Sequence, residues 1–500
     1  MENLQALKTR TADIRNVRHA AAILDWDQKT HMPKKANTVR AGQVSSLRKI
    51  AHQMFTDDEV GRLLEEAAGE VGSLDVDSDE ARLVKVLQRD YEKARKLPAD
   101  FVAEFARTTT EAHRIWAQAR QDDNFEHFQP TLEKIVDLCR QQAEYLGYEA
   151  TLYDALLDNY EPGVKTAQVA GLFDGLREEL VPLAKAIFEQ KDTNSDAPLR
   201  RYIPVEQQRQ FGMKVVGQMG YDLERGRQDE TVHPFCTSFS RNDVRITTRF
   251  QDHFLSSALF GTIHEAGHAT YEQGISPELD DTLLGGGTSL GVHESQSRLW
   301  ENIVGRSRGF WEYFYPQLQA TVDGRLDDVD LDTFYRAINY VSPSLIRVEA
   351  DEVTYCLHIM LRFEIEQDLL NGVIAVKDAP EAWNAKMQAY LGITPPDNRN
   401  GVLQDIHWSM GILGYFPTYA LGTMLSAQLY ERALQDHPHI PAEIKTGKFD
   451  TLLGWMNTNI HAHGRKFMPT ELIQRATGKP LSHRAFMDYL RGKFSRIYDL

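Results

Sequence analysis

Apolar residues recur every three and four positions through most of the first 190 residues, the spacing that gives a helix one apolar face and one wetted face. Leu132, Ile135, Val136, Leu138 and Cys139 form one such stripe. The pattern predicts nearly continuous helix over residues 2–190, punctuated at Glu161-Pro162-Gly163, with a further break at Asp196-Ala197-Pro198. Over residues 231–250 the period changes to two. Val244 and Ile246 alternate with Arg245 and Thr247 behind the turn-prone pair Asn242-Asp243, which predicts a short antiparallel hairpin. Helical spacing resumes near His253, stops at Gly274, and returns over residues 344–370, 417–436 and 483–498. The sequence contains no repeat, low-complexity tract or flexible interdomain linker.

At 500 residues the chain exceeds the length at which one core usually stops growing, so two domains or one large cleft-bearing body is expected. Hydrophobic residues make up 42% and charged residues 26%, a balance that excludes a mainly disordered chain. A net charge of −16 disfavours phosphate backbones and anionic lipid surfaces, so neither nucleic acid nor membrane is expected as a partner. Cys139, Cys236 and Cys356 lie far apart and are odd in number. They argue against a disulfide framework or a thiolate zinc site and for a reducing compartment. The polar opening segment lacks the apolar stretch of a secretory signal, and no apolar run approaches the roughly eighteen residues of a membrane span. A cytoplasmic protein is expected.

His264-Glu265-Ala266-Gly267-His268 is an H-E-x-x-H segment within the helical window that ends at Gly274. Positions four apart on a helix differ by about 40° around the axis, so both imidazoles can reach one ion from the same face. Glu265, one step round, can then accept a proton from water acidified by zinc, as general acid/base in hydrolysis. The bland alternative is a helix carrying two surface histidines. A closely following Gly and third His are missing, because Tyr271 and Gly274 stand at those places. The third ligand must therefore be a downstream carboxylate, for which Glu294 in His293-Glu294-Ser295-Gln296 is the best candidate. Gly285-Gly286-Gly287 and Gly291 would let the chain double back to present it. Glu272 would crowd His268 on its own helix, Glu278 falls in a Pro-containing loop, and Glu301 stays open. No G-K-[ST] follows the glycines, so they are not read as a phosphate loop.

Six separated motifs resemble those of the M32 metallocarboxypeptidases, the carboxypeptidase Taq family. They are His233-Pro234-Phe235, Asp243-Val244-Arg245-Ile246-Thr247, His264 to His268, His293 to Gln296, Ile346 to Asp351, and Gly401 to Trp408. Leu24-Asp25-Trp26-Asp27 and Gly414 to Tyr419 are also similar, so the likeness covers most of the chain. The resemblance implies Glu294 as third ligand and a mainly α fold related to neurolysin and the angiotensin-converting enzymes. It further implies one peptidase domain over residues 1–500 with two helical halves flanking a deep cleft, and a homodimer. The expected activity is zinc-dependent removal of C-terminal residues from peptides with a free C-terminus, with Co²⁺ or Mn²⁺ as possible substitutes. An endo-acting oligopeptidase and a non-catalytic, metal-retaining peptide-binding protein are the competing classes.

Substrate-binding candidates are His233, His407, Tyr415 and Tyr419, with His407 and either Tyr415 or Tyr419 as donors to a developing oxyanion, and Arg347 as partner of the substrate carboxylate. Arg347 owes its place to the motif, since Arg245, Arg249, Arg298 and Arg362 would serve by chemistry alone. The alternative for Arg347 is a helix-surface ion pair with Asp351, four residues on. Asp243, Arg245, Asp351 and Asp405 are expected as buried ion-pair residues that support the site.

Overall fold

The computed structural model describes residues 1–190 and 194–500. It is 68% helical with one three-stranded sheet, in agreement with the mainly α expectation. The predicted helical stretch at the N-terminus resolves into eight helices, from Glu2–Thr30 to Thr166–Phe188. Their breaks follow local chemistry. Asp57 and Ser78 cap the helices that follow them by accepting the amide hydrogens of Glu59 and Ala81. In the Phe125–Leu146 helix every residue of the stripe Leu132, Ile135, Val136, Leu138 and Cys139 is buried.

Three apolar cores result. One joins Phe128, Tyr153 and Phe173 to Phe363 and Phe416. A second joins Phe211, Ile263 and Trp300 to Trp311, Phe314 and Trp455. A smaller third packs the first four helices against Leu279, Leu283 and Leu284. None of the described helices is long and apolar enough to cross a membrane.

The sheet contains β1 (Gly226–Glu230), β2 (Cys236–Ser240) and β3 (Asp243–Thr248) in the order β1-β3-β2. β2 and β3 form the expected antiparallel pair, bulged between Ser238 and Ser240. β1, which the sequence reading missed, runs parallel to β3 with Gly226 opposite Val244. Its residues Gly-Arg-Gln-Asp-Glu carry no apolar alternation. Val244 and Ile246 are buried as the period of two requires.

The helices expected near 253–274, 417–436 and 483–498 are found as Leu255–Gly274, Pro417–Asp436 and Arg484–Tyr498. The helix expected over 344–370 is a correction: it begins only at Tyr355, preceded by a short 3-10 turn at Arg347–Glu349. Asp351 prevents an earlier start. Its carboxylate accepts the amide hydrogens of Ser342, Val353 and Thr354, offering the backbone an alternative to helical bonds.

Candidate metal centre

His264, Glu265 and His268 lie on the Leu255–Gly274 helix, and Glu294 lies on the Leu290–Arg298 helix that crosses it. Two glycines set how closely the helices meet. A Cβ on Gly267 would lie 2.7 Å from the Gln296 carbonyl oxygen, and one on Gly422 would lie 2.6 Å from the Glu294 Cβ. Glu294 is thus held between the His264 helix and the Pro417–Asp436 helix with no space for a side chain at either contact.

Glu294 Oε2 lies 3.5 Å from His264 Nε2 and 3.5 Å from His268 Nε2. All three donor atoms fall within 4.8 Å of one another, and they form a metal-competent trio among the described residues. An ion about 2.0–2.1 Å from tetrahedral ligands spaces them about 3.4 Å apart, so the donor set fits a small divalent metal. The other ring nitrogens support the same conclusion. His264 Nδ1 donates to Glu301 Oε2 at 2.9 Å. His293 Nε2 donates to Glu272 Oε1 at 2.8 Å, which in a neutral ring makes its Nδ1 the acceptor from His268 Nδ1 at 2.6 Å. Both candidate ligand histidines therefore turn an Nε2 lone pair inward, with partners that fix tautomer and ring orientation.

The electrostatics follow from burial and neighbours. Burial alone would raise the Glu294 carboxyl, but Arg298 and the two histidines hold it well below the usual range. Arg298 Nε donates to its Oε1 at 2.7 Å, and Ser297 Oγ donates to Oε2 at 2.9 Å. Burial lowers His268 to about 4, keeping it neutral and ready to ligate. Burial pushes Glu265 up to about 7 against the pull of His264, which is where a base serves best near neutral pH.

The open alternatives for the third carboxylate separate clearly in space. Glu301 takes the outer nitrogen of His264 from a π-helical turn at Leu299–Val304, and Glu272 takes His293. Glu278 sits in the short Pro277–Asp280 helix, bonded to Ser276.

Arg347 is buried, and its partner is Asp405 rather than Asp351, a second correction. Nε and Nη2 donate to Asp405 Oδ1 at 3.1 and 2.8 Å, and Nη1 donates to Tyr355 Oη at 3.1 Å. Asp405 also receives Arg362 Nε at 2.7 Å. Two guanidinium groups therefore share one carboxylate. Tyr355 connects this cluster to the trio, because Arg298 lies over its ring at 4.3 Å.

His407 Nε2 lies 3.4 Å from Tyr419 Oη, and the Tyr415 and Tyr419 rings are 5.3 Å apart, so these three candidates do come together. Burial lowers His407 to about 3 and keeps it neutral. His233 is exposed in the loop between β1 and β2, apart from any of these groups in hydrogen bonding. Arg245 pairs with Asp243 at 2.7 and 2.8 Å and lies over the Trp26 ring at 4.2 Å, as a support rather than a free cation. Sequence reasoning missed Tyr355, the His293–Glu272 pair and the pairing of Arg298 with Glu294, having weighed Arg298 only for the substrate carboxylate; the position of His293 inside the fourth motif hinted at one of them.

The family model for the Carboxypeptidase Taq (M32) metallopeptidases matches residues 6–494. The chain belongs to this family. Thermostable carboxypeptidase 1 of Thermus thermophilus is 42% identical over 99% of this chain and 98% of its own length. Carboxypeptidase 1 of Bacillus subtilis is 39% identical over 96% and 95%. The crystal structure of the M32 carboxypeptidase from Deinococcus radiodurans R1 superposes with a TM-score of 0.97 at 41% identity, covering 100% of both chains. The M32 chain described here is accordingly a metal-dependent carboxypeptidase, which selects among the three classes left open by the sequence.

Proposed function

We propose that this M32 carboxypeptidase binds zinc through His264, His268 and Glu294 and removes C-terminal residues with Glu265 as general acid/base. The observation that carries the proposal is the 3.5 Å spacing of Glu294 Oε2 from both imidazole Nε2 atoms. A zinc ion held there supplies Lewis acidity, acidifying water and polarising a peptide carbonyl. Glu265 accepts the proton of the attacking water and delivers it to the departing amine. His407, Tyr415 and Tyr419 stand as neutral donors for the carbonyl oxygen as it gains charge, with His233 as a further, exposed contact for substrate.

Arg347 pairs with the terminal carboxylate of the substrate. Support comes from charge: Asp405 is shared with Arg362, leaving the buried cluster with positive charge to spare. A cytoplasmic homodimer with its cleft between two helical halves completes the proposal. It rests on the family resemblance and, for the compartment, on three cysteines that form no disulfide. Elemental analysis of purified protein, combined with assays on peptides bearing free or amidated C-termini, tests the reading. One zinc per chain and turnover of free C-termini alone are expected. Equal turnover of amidated peptides, or a stoichiometric metal other than zinc, contradicts it.

A further inference from the structure

Glu161 is a buried acid that the hydrolytic chemistry does not use. It is 3% exposed, and no lysine, arginine or histidine pairs with it among the described residues. Its carboxylate instead accepts the amide hydrogen of Gly291 in the first turn of the Leu290–Arg298 helix, which carries Glu294 one turn further on. Beside it the Tyr160 carbonyl accepts the Leu290 amide hydrogen at 3.1 Å. The approach is close: a Cβ on Gly291 would lie 2.8 Å from Glu161 Oε1 and 3.0 Å from Oε2, so a side chain there would push the carboxylate aside. Ser289 caps the same turn by accepting the Val292 amide hydrogen at 3.1 Å. The first amide hydrogens of a helix otherwise lack partners, and the positive end of the helix favours a negative group there.

The clasp also reaches one of the tyrosines proposed to contact substrate. The Tyr160 ring meets Tyr415 edge-on at 5.1 Å, and Val164 and Glu161 themselves are tied into the Leu157–Val164 turn by backbone bonds. The turn after Leu156 and Leu157, which lie in the first apolar core, is thereby joined to the helix of the candidate ligand through the Glu161 carboxylate and the Tyr160 carbonyl.

We propose that Glu161 is a positioning residue for the metal centre, setting the axial placement of the Leu290–Arg298 helix so that Glu294 meets His264 and His268. This rests on the reading of Glu294 as a metal ligand. Burial raises Glu161 while the Gly291 amide and Ser289 hydroxyl pull it down, so it is the hydrogen bond to Gly291, with or without full charge, that positions the helix. Glu161→Gln keeps an acceptor of the same size and preserves function, whereas Glu161→Ala removes it.

The test is zinc affinity, measured on purified full-length protein by competition with a chelator, alongside helix content and melting temperature. Glu161→Ala is expected to bind zinc at least about tenfold more weakly with helix content retained, in the lower range for loss of a group that orients a metal ligand. Glu161→Gln is expected to bind within about threefold of the parent. Leu157→Ala, a buried cavity in the same turn, is expected to lower the melting temperature without changing zinc affinity. Gly291→Ala should weaken zinc binding alone but add nothing in the Glu161→Ala background, where the clash is gone. Unchanged affinity in a folded Glu161→Ala protein overturns the inference, as does an equal loss in Leu157→Ala. If Glu161→Ala does not fold, a loss in Glu161→Gln as large as in Gly291→Ala overturns it. Glu294→Ala run in parallel separates the two ideas: retained zinc there overturns the ligand assignment itself, whereas lost zinc there with unchanged Glu161→Ala overturns only the role of Glu161.

Discussion

Arg298 donates from Nε to Oε1 of Glu294 at 2.7 Å and leaves Oε2 facing the two imidazoles. The same guanidinium reaches Glu301 Oε2 at 3.3 Å. One largely enclosed cation thus lies between two carboxylates, buried Glu294 and half-buried Glu301, while turning the first toward the metal position. Each carboxylate touches His264, Glu294 from the inner nitrogen and Glu301 from the outer.

Replacing Arg298 with Met should therefore destabilise the metal-free protein, on the order of 3–5 kcal/mol, because Glu294 loses its arginine and Glu301 keeps only Arg306, at 3.4 Å. A bound divalent ion restores positive charge beside them. The rise in melting temperature on adding zinc to metal-stripped protein should be larger for Arg298→Met than for the parent. An equal rise in both would show that Arg298 does not share this electrostatic duty with the metal.

Much of this centre was legible in the sequence because helical periodicity alone fixes which face His264 and His268 share. For the third carboxylate, spacing left Glu301 open and only the motif likeness pointed to Glu294. Glu294 and Glu301 are seven apart, which places them on nearly the same helix face, so spacing could not tell an inner contact from an outer one. In the fold, Gly267 and Gly422 leave no side chain at the helix contacts, and Glu294 faces the inner nitrogens while Glu301 takes the outer one. The helix expected from residue 344 failed for a similar reason. The apolar spacing is genuine, but the side chain of Asp351 takes the backbone bonds that a helix would need. β1 was invisible because its pairing is made by backbone alone.

Arg347→Ala should keep metal and helix content while losing roughly 2–5 kcal/mol of transition-state binding toward peptides with free C-termini, the range for breaking a buried charge pair. Amidated peptides should be affected little. Comparing kcat/KM for both peptide types checks this, and an equal loss on both would assign Arg347 a purely structural pairing with Asp405.

Glu366 gives the protein a pH-dependent stability of defined sign. Its carboxylate accepts from Tyr153 at 2.8 Å, Trp408 at 2.9 Å and the Gly414 amide at 3.0 Å. Burial nevertheless pushes it up to about 7 from an ordinary 4.5. The folded state then holds a proton that the unfolded state releases, so this contribution is fully present below about 4.5 and is lost as pH rises through about 7. Glu366→Gln, which cannot ionise, should show a smaller fall in melting temperature between pH 5 and pH 8 than the parent. An identical fall in both would place the pH dependence elsewhere.

The most direct measurement of the whole account is zinc content and turnover of Glu265→Gln. The amide leaves His264, His268 and Glu294 untouched, yet it cannot accept a proton from the attacking water. A full complement of zinc with activity lowered about 10²- to 10⁴-fold or more is predicted. Near-parental turnover by the zinc-replete variant would contradict the assignment of Glu265 as the base and, with it, the mechanism built around this centre.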